Sequence, residues 1–265
     1  MLRSDIPRSS IDGGSLSGRI ALVTGASRGI GRACAIGLAK AGAHVIISSR
    51  SLPALEQLDD DIQALGGAAT LLQLDLKKGD RVDQLGPTLY QRWKHLDILV
   101  ANAGILGPLS PLGHVTEDGF LGTIDINLTA NWRLIRTLDP LLKASTAGRA
   151  IFVTSGAATG QHAYWGPYGA SKAGLEALVK SWAAELGTTT VRANLINPGP
   201  VRTGMRAKAF PGEDPMTLPA PEELAPLFVE LASPACDRNG EIISFRDWRD
   251  ARHERTRTEA LAVEA

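Results

Sequence analysis

Apolar residues fall along this chain in short continuous runs separated by longer stretches with helical spacing. The first run, Ile20-Ala21-Leu22-Val23, shows no alternation with polar residues, as expected of a strand buried on both faces. Similar runs predict strands near 20–24, 44–48, 69–74, 97–101, 150–154, 192–196 and 241–245. The intervening periodic stretches predict helices near 30–41, 52–65, 80–94, 116–144, 165–187 and 221–232. Gly42 closes the first helix, and Gly86-Pro87 predicts a kink or restart in the third. Strands alternating with helices imply an α/β class: a single doubly wound domain of about seven parallel strands with helices on both faces. That domain is expected over residues 16–248, between a polar tail at 1–15 and a charged tail at 249–265. The last stretch reads either as a solvated helix or as a mobile tail.

Composition narrows the class without changing the fold. A hydrophobic content of 44% is normal for a globular protein, and 265 residues fit one large α/β domain. Lys and Arg number 28, as do Asp and Glu, so there is no basic excess of the kind a general nucleic-acid surface needs. No apolar stretch is long enough to span a bilayer, and Met1–Gly14 lacks the apolar core of a secretory signal. The two cysteines, Cys34 and Cys236, suit a reducing compartment and lead to the expectation of a cytoplasmic protein. Cys34 sits among small apolar residues and reads as core filler.

The candidate chemistry begins at Thr24-Gly25-Ala26-Ser27-Arg28-Gly29-Ile30-Gly31, between the first strand and the first helix. Glycines there allow a tight turn and close approach to a pyrophosphate, while the helix start offers free N–H groups. Farther along, Tyr168 and Lys172 stand four residues apart, which puts a phenol and an ammonium on one helix face. A free tyrosine with a pKa of about 10 is a poor base near neutrality. A fixed positive charge beside it is expected to lower that pKa and fit it for carbonyl/alcohol proton transfer. Ser155, thirteen residues before Tyr168, ends a predicted strand, where ligands of open α/β sheets bind, and Thr154 beside it is a competing hydroxyl.

Two further segments complete a pattern: Asn102-Ala103-Gly104 after Ile98–Ala101, and Pro198-Gly199 after Ala193–Asn197. With the glycine loop, Ser155 and the Tyr168/Lys172 pair, these make five ordered motifs. The chain thereby closely resembles the short-chain dehydrogenase/reductase family, from roughly Leu16 to Phe245. The resemblance implies a catalytic set of Asn127, Ser155, Tyr168 and Lys172, with Asn127 holding a water that links the lysine to solvent. It also implies cofactor contacts from Gly25, Ser27, Arg28, Gly29, Ile30 and Gly31. Further contacts are implied at Ser49, Arg50, Asp75, Leu76, Asn102, Ala103 and Gly104, at Tyr168 and Lys172, and at Pro198, Gly199, Val201 and Thr203. The segment after the second strand, Ser49-Arg50-Ser51, has no acid to accept from a ribose diol, whereas Arg50 and Arg28 suit a phosphate. NADP(H) is therefore expected in preference to NAD(H).

The expected activity is hydride transfer between the nicotinamide and a small carbonyl or secondary alcohol, mainly as a reductase. The alternative on the same fold is a dinucleotide-binding regulator or scaffold without turnover. Leu106, Pro108, His162, Tyr164 and Trp165 fall in segments that line the family's pocket and suggest an apolar or aromatic cleft. His162 has no partners at metal-site spacing, and no metal is expected. Met205–Pro219 is expected as a mobile lid with little regular structure. The long helices near 116–144 and 165–187 carry apolar groups around much of their circumference, which with the resemblance implies a homodimer or homotetramer. After the last strand the chain has Arg246-Asp247-Trp248, where many family members have Asp-Gly-Gly.

Overall fold

The computed structural model describes residues 14–263, so nearly all of the tail expected at 1–15 lies outside the described residues. Seven strands form one parallel sheet: β1 (Ile20–Thr24), β2 (His44–Ser49), β3 (Ala68–Gln73), β4 (Ile98–Ala101), β5 (Arg149–Val153), β6 (Arg192–Asn197) and β7 (Ile242–Ser244). Their order is β3-β2-β1-β4-β5-β6-β7, with every neighbouring pair parallel. The winding reverses between β1 and β4, and a crevice opens there beyond the carboxyl ends of the strands.

Successive side chains of each strand point to opposite faces, so the continuous apolar runs feed two cores. On one face Ala21, Val23 and Val100 meet α1 (Gly29–Lys40), α2 (Leu52–Ala64) and α9 (Ala225–Ala232), with Leu38, Leu55 and Phe228 buried. On the other, Leu22, Leu99 and Phe152 meet α4 (Leu85–Trp93), α6 (Ala130–Lys143) and α7 (Gly166–Glu185), with Leu89, Leu138 and Trp182 buried. The result is the single Rossmann-like domain that strand–helix alternation implies.

Several helices depart from the expected outlines, each for a local reason. The stretch 80–94 divides at Gln84 into α3 (Gly79–Asp83) and α4. Gly86 then lies flat on α6, its N–H bonded to the Thr137 hydroxyl, and a Cβ there would fall 2.2 Å from the Thr137 carbonyl oxygen. The stretch 116–144 becomes α5 (Glu117–Ile124), a π-helical turn at Asp125–Thr129, and α6. The 205–219 segment is not the irregular lid expected. It forms α8 (Gly204–Ala209) and a 3₁₀ turn at Pro215–Thr217, because Thr203 caps α8 and Arg206 pairs with Glu213 through two contacts of 2.6 Å. The stretch 221–232 opens as a 3₁₀ turn before α9. β7 runs straight into α10 (Phe245–Val263), so residue 249 falls inside a helix whose first turn packs Phe245 and Trp248 into the core. No helix among the described residues is long and apolar enough to cross a membrane.

Candidate active site

The crevice is assembled from the segments leaving β1, β4, β5 and β6. In the glycine loop, Gly25 adopts a left-handed φ of +65°, and a Cβ there would fall 2.9 Å from the Ala103 Cα. Gly31 is tighter still, with a Cβ only 2.3 Å from the Gly25 carbonyl oxygen and 2.4 Å from Asn102 Nδ2. The amide of Asn102 donates to the carbonyls of Thr24 (3.0 Å) and Gly25 (3.3 Å), clamping the loop across the switch point. The Thr24 hydroxyl accepts from the N–H groups of Asn102 and Ala103, both at 3.1 Å. Thr24 opens the glycine motif in the sequence, but the role of its hydroxyl in holding the backbone at 102–103 is visible only in the fold. Arg28 is the exposed N-cap residue of α1 in extended conformation, and α1 has no acid in its first turn. Ser27 and Ile30 flank Arg28 and Gly29 at this same helix start, both partly exposed. Thr203, brought from beyond β6 by Pro198, Gly199 and the buried Val201, sits over Gly29, where a Cβ would meet its methyl at 3.4 Å.

Beyond β2 and β3, Arg50 and Asp75 line an open cleft of about 790 Å³ with Lys77, Lys78 and Arg81. Arg28 is not part of that lining. Asp75 does not cap α3; its carboxylate accepts from the Lys77 N–H at 3.1 Å and shapes the turn before the helix, with Leu76 packed beside the core. Ser49 is buried and its hydroxyl donates to the Ser51 carbonyl.

The catalytic candidates converge at the end of β5. Ser155 caps a 3₁₀ turn (Gly156–Thr159), its hydroxyl accepting from the Ala157 N–H at 3.2 Å, and it acts on the phenol of Tyr168 to lower its pKa. α7 approaches this turn closely because residue 169 is glycine, where a Cβ would stand 2.8 Å from the Ala157 carbonyl oxygen. Lys172 is 4% exposed and donates to the Val153 carbonyl at 2.8 Å, with its Nζ 5.8 Å from the Tyr168 ring centroid. Asn127 lies in the π turn, fully buried, with its side-chain amide held by three hydrogen bonds. It donates to the Ile105 carbonyl (2.9 Å) and the Ser171 hydroxyl (3.0 Å), and accepts from the Ile105 N–H (2.9 Å). The turn lets the chain present this amide toward Gly104, whose Cβ position is 3.2 Å from Asn127 Oδ1 and 3.7 Å from Lys172 Nζ. Ser171 was not singled out from the sequence, although its place three residues after Tyr168 marks the same helix face.

The electrostatics differ from the expectation drawn from the Tyr/Lys spacing. Burial pushes the Tyr168 phenol above its ordinary value, and the Ser155 hydrogen bond only partly offsets this. Burial also pulls Lys172 down to about 8, with Glu176 acting in the opposite direction. Spacing places the two groups on one face, but the depth of that face decides which influence wins.

Above Tyr168 the cleft is aromatic. Trp165 meets it edge-on at 5.7 Å, and the rings of Phe210 and His162 lie tilted against Trp165 at 5.7 and 5.9 Å. Leu106 joins this cluster, whereas Tyr164 is 61% exposed at the rim. Pro108 lies against the start of α5, near Gly119. No group of His, Cys, Asp or Glu among the described residues is arranged to hold a metal.

A switch-point crevice with a glycine-lined helix start and a buried Ser-Tyr-Lys cluster defines a dinucleotide-dependent oxidoreductase fold. Comparison with known proteins agrees: the short chain dehydrogenase family model matches residues 19–214. The uncharacterized oxidoreductase YciK of Escherichia coli is 36% identical over 219 residues, covering 82% of this chain and 86% of the relative. A short chain dehydrogenase structure from Pseudomonas syringae matches with a TM-score of 0.85 at 36% identity, over 91% of this chain and all of that one. Another from Shigella flexneri, complexed with NADP, matches at 0.84 and 35% identity, over 88% of this chain and 99% of that one. The chain belongs to the short-chain dehydrogenase/reductase family and is an oxidoreductase of that family.

Proposed function

We propose that the protein is an NADP-dependent reductase of small carbonyl compounds. The carrying observation is the meeting of Ser155, Tyr168 and Lys172 at the end of β5, beside a glycine cradle that a Cβ at Gly31 would fill. In this reading Gly25, Gly29, Gly31 and the start of α1 hold the pyrophosphate, with Asn102 fixing the loop. Arg50 and Arg28 favour the 2′-phosphate, in keeping with the NADP bound to the Shigella flexneri relative. When bound, NADPH supplies the hydride delivered to the substrate carbon.

Ser155 holds the substrate oxygen, and Tyr168 gives that oxygen its proton. A phenol whose pKa is raised stays protonated at neutral pH and suits a proton donor, which favours the reductive direction. Lys172, at about 8, is mainly charged near neutrality and stabilises the phenolate left behind. Asn127 ties the loop after β4 to α7 and so holds Lys172 and Gly104 in register, with the water relay to solvent passing beside it. Trp165, Phe210 and Leu106 select an apolar substrate face. NADPH oxidation over a panel of ketones and 3-oxoacyl thioesters tests the reading. Turnover of at least one carbonyl is expected; cofactor binding with no turnover on any of them would favour a regulator instead.

Assembly belongs to the same reading. Phe120, Leu121 and Trp132 are 38%, 47% and 42% exposed along α5 and α6, an apolar surface that suits a second copy of the chain. Light scattering at micromolar concentration is expected to give a dimer or tetramer, and a monomer at all concentrations would count against it. Two free cysteines, one of them buried, accord with work in a reducing cytoplasm.

A further inference from the structure

Three consecutive residues at the exit of β5 each hold one position along a single face of α7. The Val153 carbonyl accepts from Lys172 at 2.8 Å, the Thr154 hydroxyl donates to Glu176 Oε1 at 2.7 Å, and Ser155 acts on the Tyr168 phenol. Positions 168, 172 and 176 follow at four-residue spacing and so lie in one stripe. Two of these contacts belong to the proton-transfer set described above. The third joins Thr154, 1% exposed, to a carboxylate that the set leaves out.

We propose that Glu176, pinned by Thr154, is a positioning residue that keeps Lys172 charged and in place beside Tyr168. The inference rests on the oxidoreductase reading for its catalytic consequence, but not for its effect on Lys172. A buried ammonium bonded to a neutral carbonyl lacks a countercharge, and such a group tends to lose its proton. Glu176, one turn farther along the same helix face, supplies that charge. A long carboxylate side chain left unheld would turn to solvent, and the short bond from a buried threonine prevents this.

Other groups facing Lys172 are neutral: the Tyr168 phenol, Ser171, the Asn127 amide and the backbone at Gly104. The charges on neighbouring elements lie elsewhere. Asp125 in the π turn is exposed, Glu117 and Asp118 sit in the first turn of α5, and Lys180 on α7 is exposed. Arg149 and Arg192 open β5 and β6, at the far end from the crevice. Glu176 raises the Lys172 pKa and so opposes the effect of burial.

The test begins with the cofactor-free protein. Lysine labelled with ¹³C at Cε is titrated by NMR, and the Lys172 signal is assigned by its loss in Lys172→Met. In Glu176→Gln, which can still accept from Thr154, the midpoint should move down from about 8 by about 1 pH unit. Thr154→Val should move it in the same direction, and Glu176→Asp, which keeps the charge, should move it less than the glutamine variant. With a substrate in hand, the alkaline limb of the pH–rate profile should shift to lower pH in Glu176→Gln. The proposal is overturned if Lys172 titrates as in the native protein in Glu176→Gln, or if the Asp and Gln variants behave alike. A lowered melting temperature with an unmoved titration would make the Thr154–Glu176 contact a structural tie alone. Absence of turnover would sink the reductase reading while the NMR titration still decides this one.

Discussion

Tyr168 shows how one residue's chemistry is shared between spacing and burial. Its four-residue distance from Lys172 is legible in the sequence, because helix geometry makes i and i+4 neighbours. The sign of its pKa shift is not, because Tyr168, 7% exposed, is buried by Leu106, Ala157 and Trp165, which are distant in sequence or on another turn. Tyr168→Phe keeps the ring and removes the proton, so kcat should fall at least ~10²-fold while NADPH affinity, read by fluorescence titration, changes little. Near-native turnover would remove Tyr168 from the role of donor. Arg50 presents the opposite case, an exposed guanidinium whose significance lies in the missing acid next to it. Arg50→Asp should weaken NADPH and improve NADH in the same titration, since a carboxylate repels the 2′-phosphate and accepts from a diol. If the native protein binds both dinucleotides equally, the phosphate assignment fails.

Elements were readable where a single local pattern made them. The continuous runs marked the strands, and Gly42 and the glycine loop bounded α1. Breaks were harder to see, because they answer to a neighbour. The π turn at Asp125–Thr129 carries an ordinary helical sequence, and it is the docking of Asn127 on Ile105 and Ser171 that requires the extra residue there. α8 is masked in the sequence by Phe210, Pro211 and Gly212, since the Arg206–Glu213 pair that closes the segment bridges a turn. The glycine loop supports a sharper expectation. Gly31→Ala puts a methyl against the Gly25 carbonyl and the Asn102 amide, both backbone-locked, so the loop must shift. A loss of about 1–3 kcal/mol in stability is expected in denaturant melts, with NADPH affinity falling at least ~10-fold. Gly113→Ala, where nothing lies within 4 Å of the added methyl, should do neither. Equal behaviour of the two variants would show that the loop tolerates a side chain.

At the scale of the whole molecule, His44 ties α4 to two strands of the sheet. It opens β2, its Nε2 is 2.8 Å from the Thr70 hydroxyl on β3, and its ring stands 5.9 Å from Trp93 of α4. Burial, helped by the charge of Arg92, pulls its pKa down to about 4 from an ordinary 6.5. As pH falls from 6.5 toward 4, the unfolded chain takes up the proton before the folded one does. The stability that His44 contributes is therefore complete above pH 6.5 and declines through this window, by up to about 3 kcal/mol. Thermal melts across that range should show a steeper acid decline in the native protein than in His44→Gln. Parallel curves would mean that the histidine is solvated in the fold.

The sequence by itself determined the α/β alternation, the family and the ordered motifs, since each rests on residues close together in the chain, where periodicity and turn chemistry act. The strand order, the junction of Asn102 with Gly25 and Gly31, the burial of Lys172 and the bond from Thr154 to Glu176 were decided only by the tertiary structure. Those contacts join residues from separate strands and helices, and their energies depend on desolvation, a quantity fixed by what the rest of the chain packs around them.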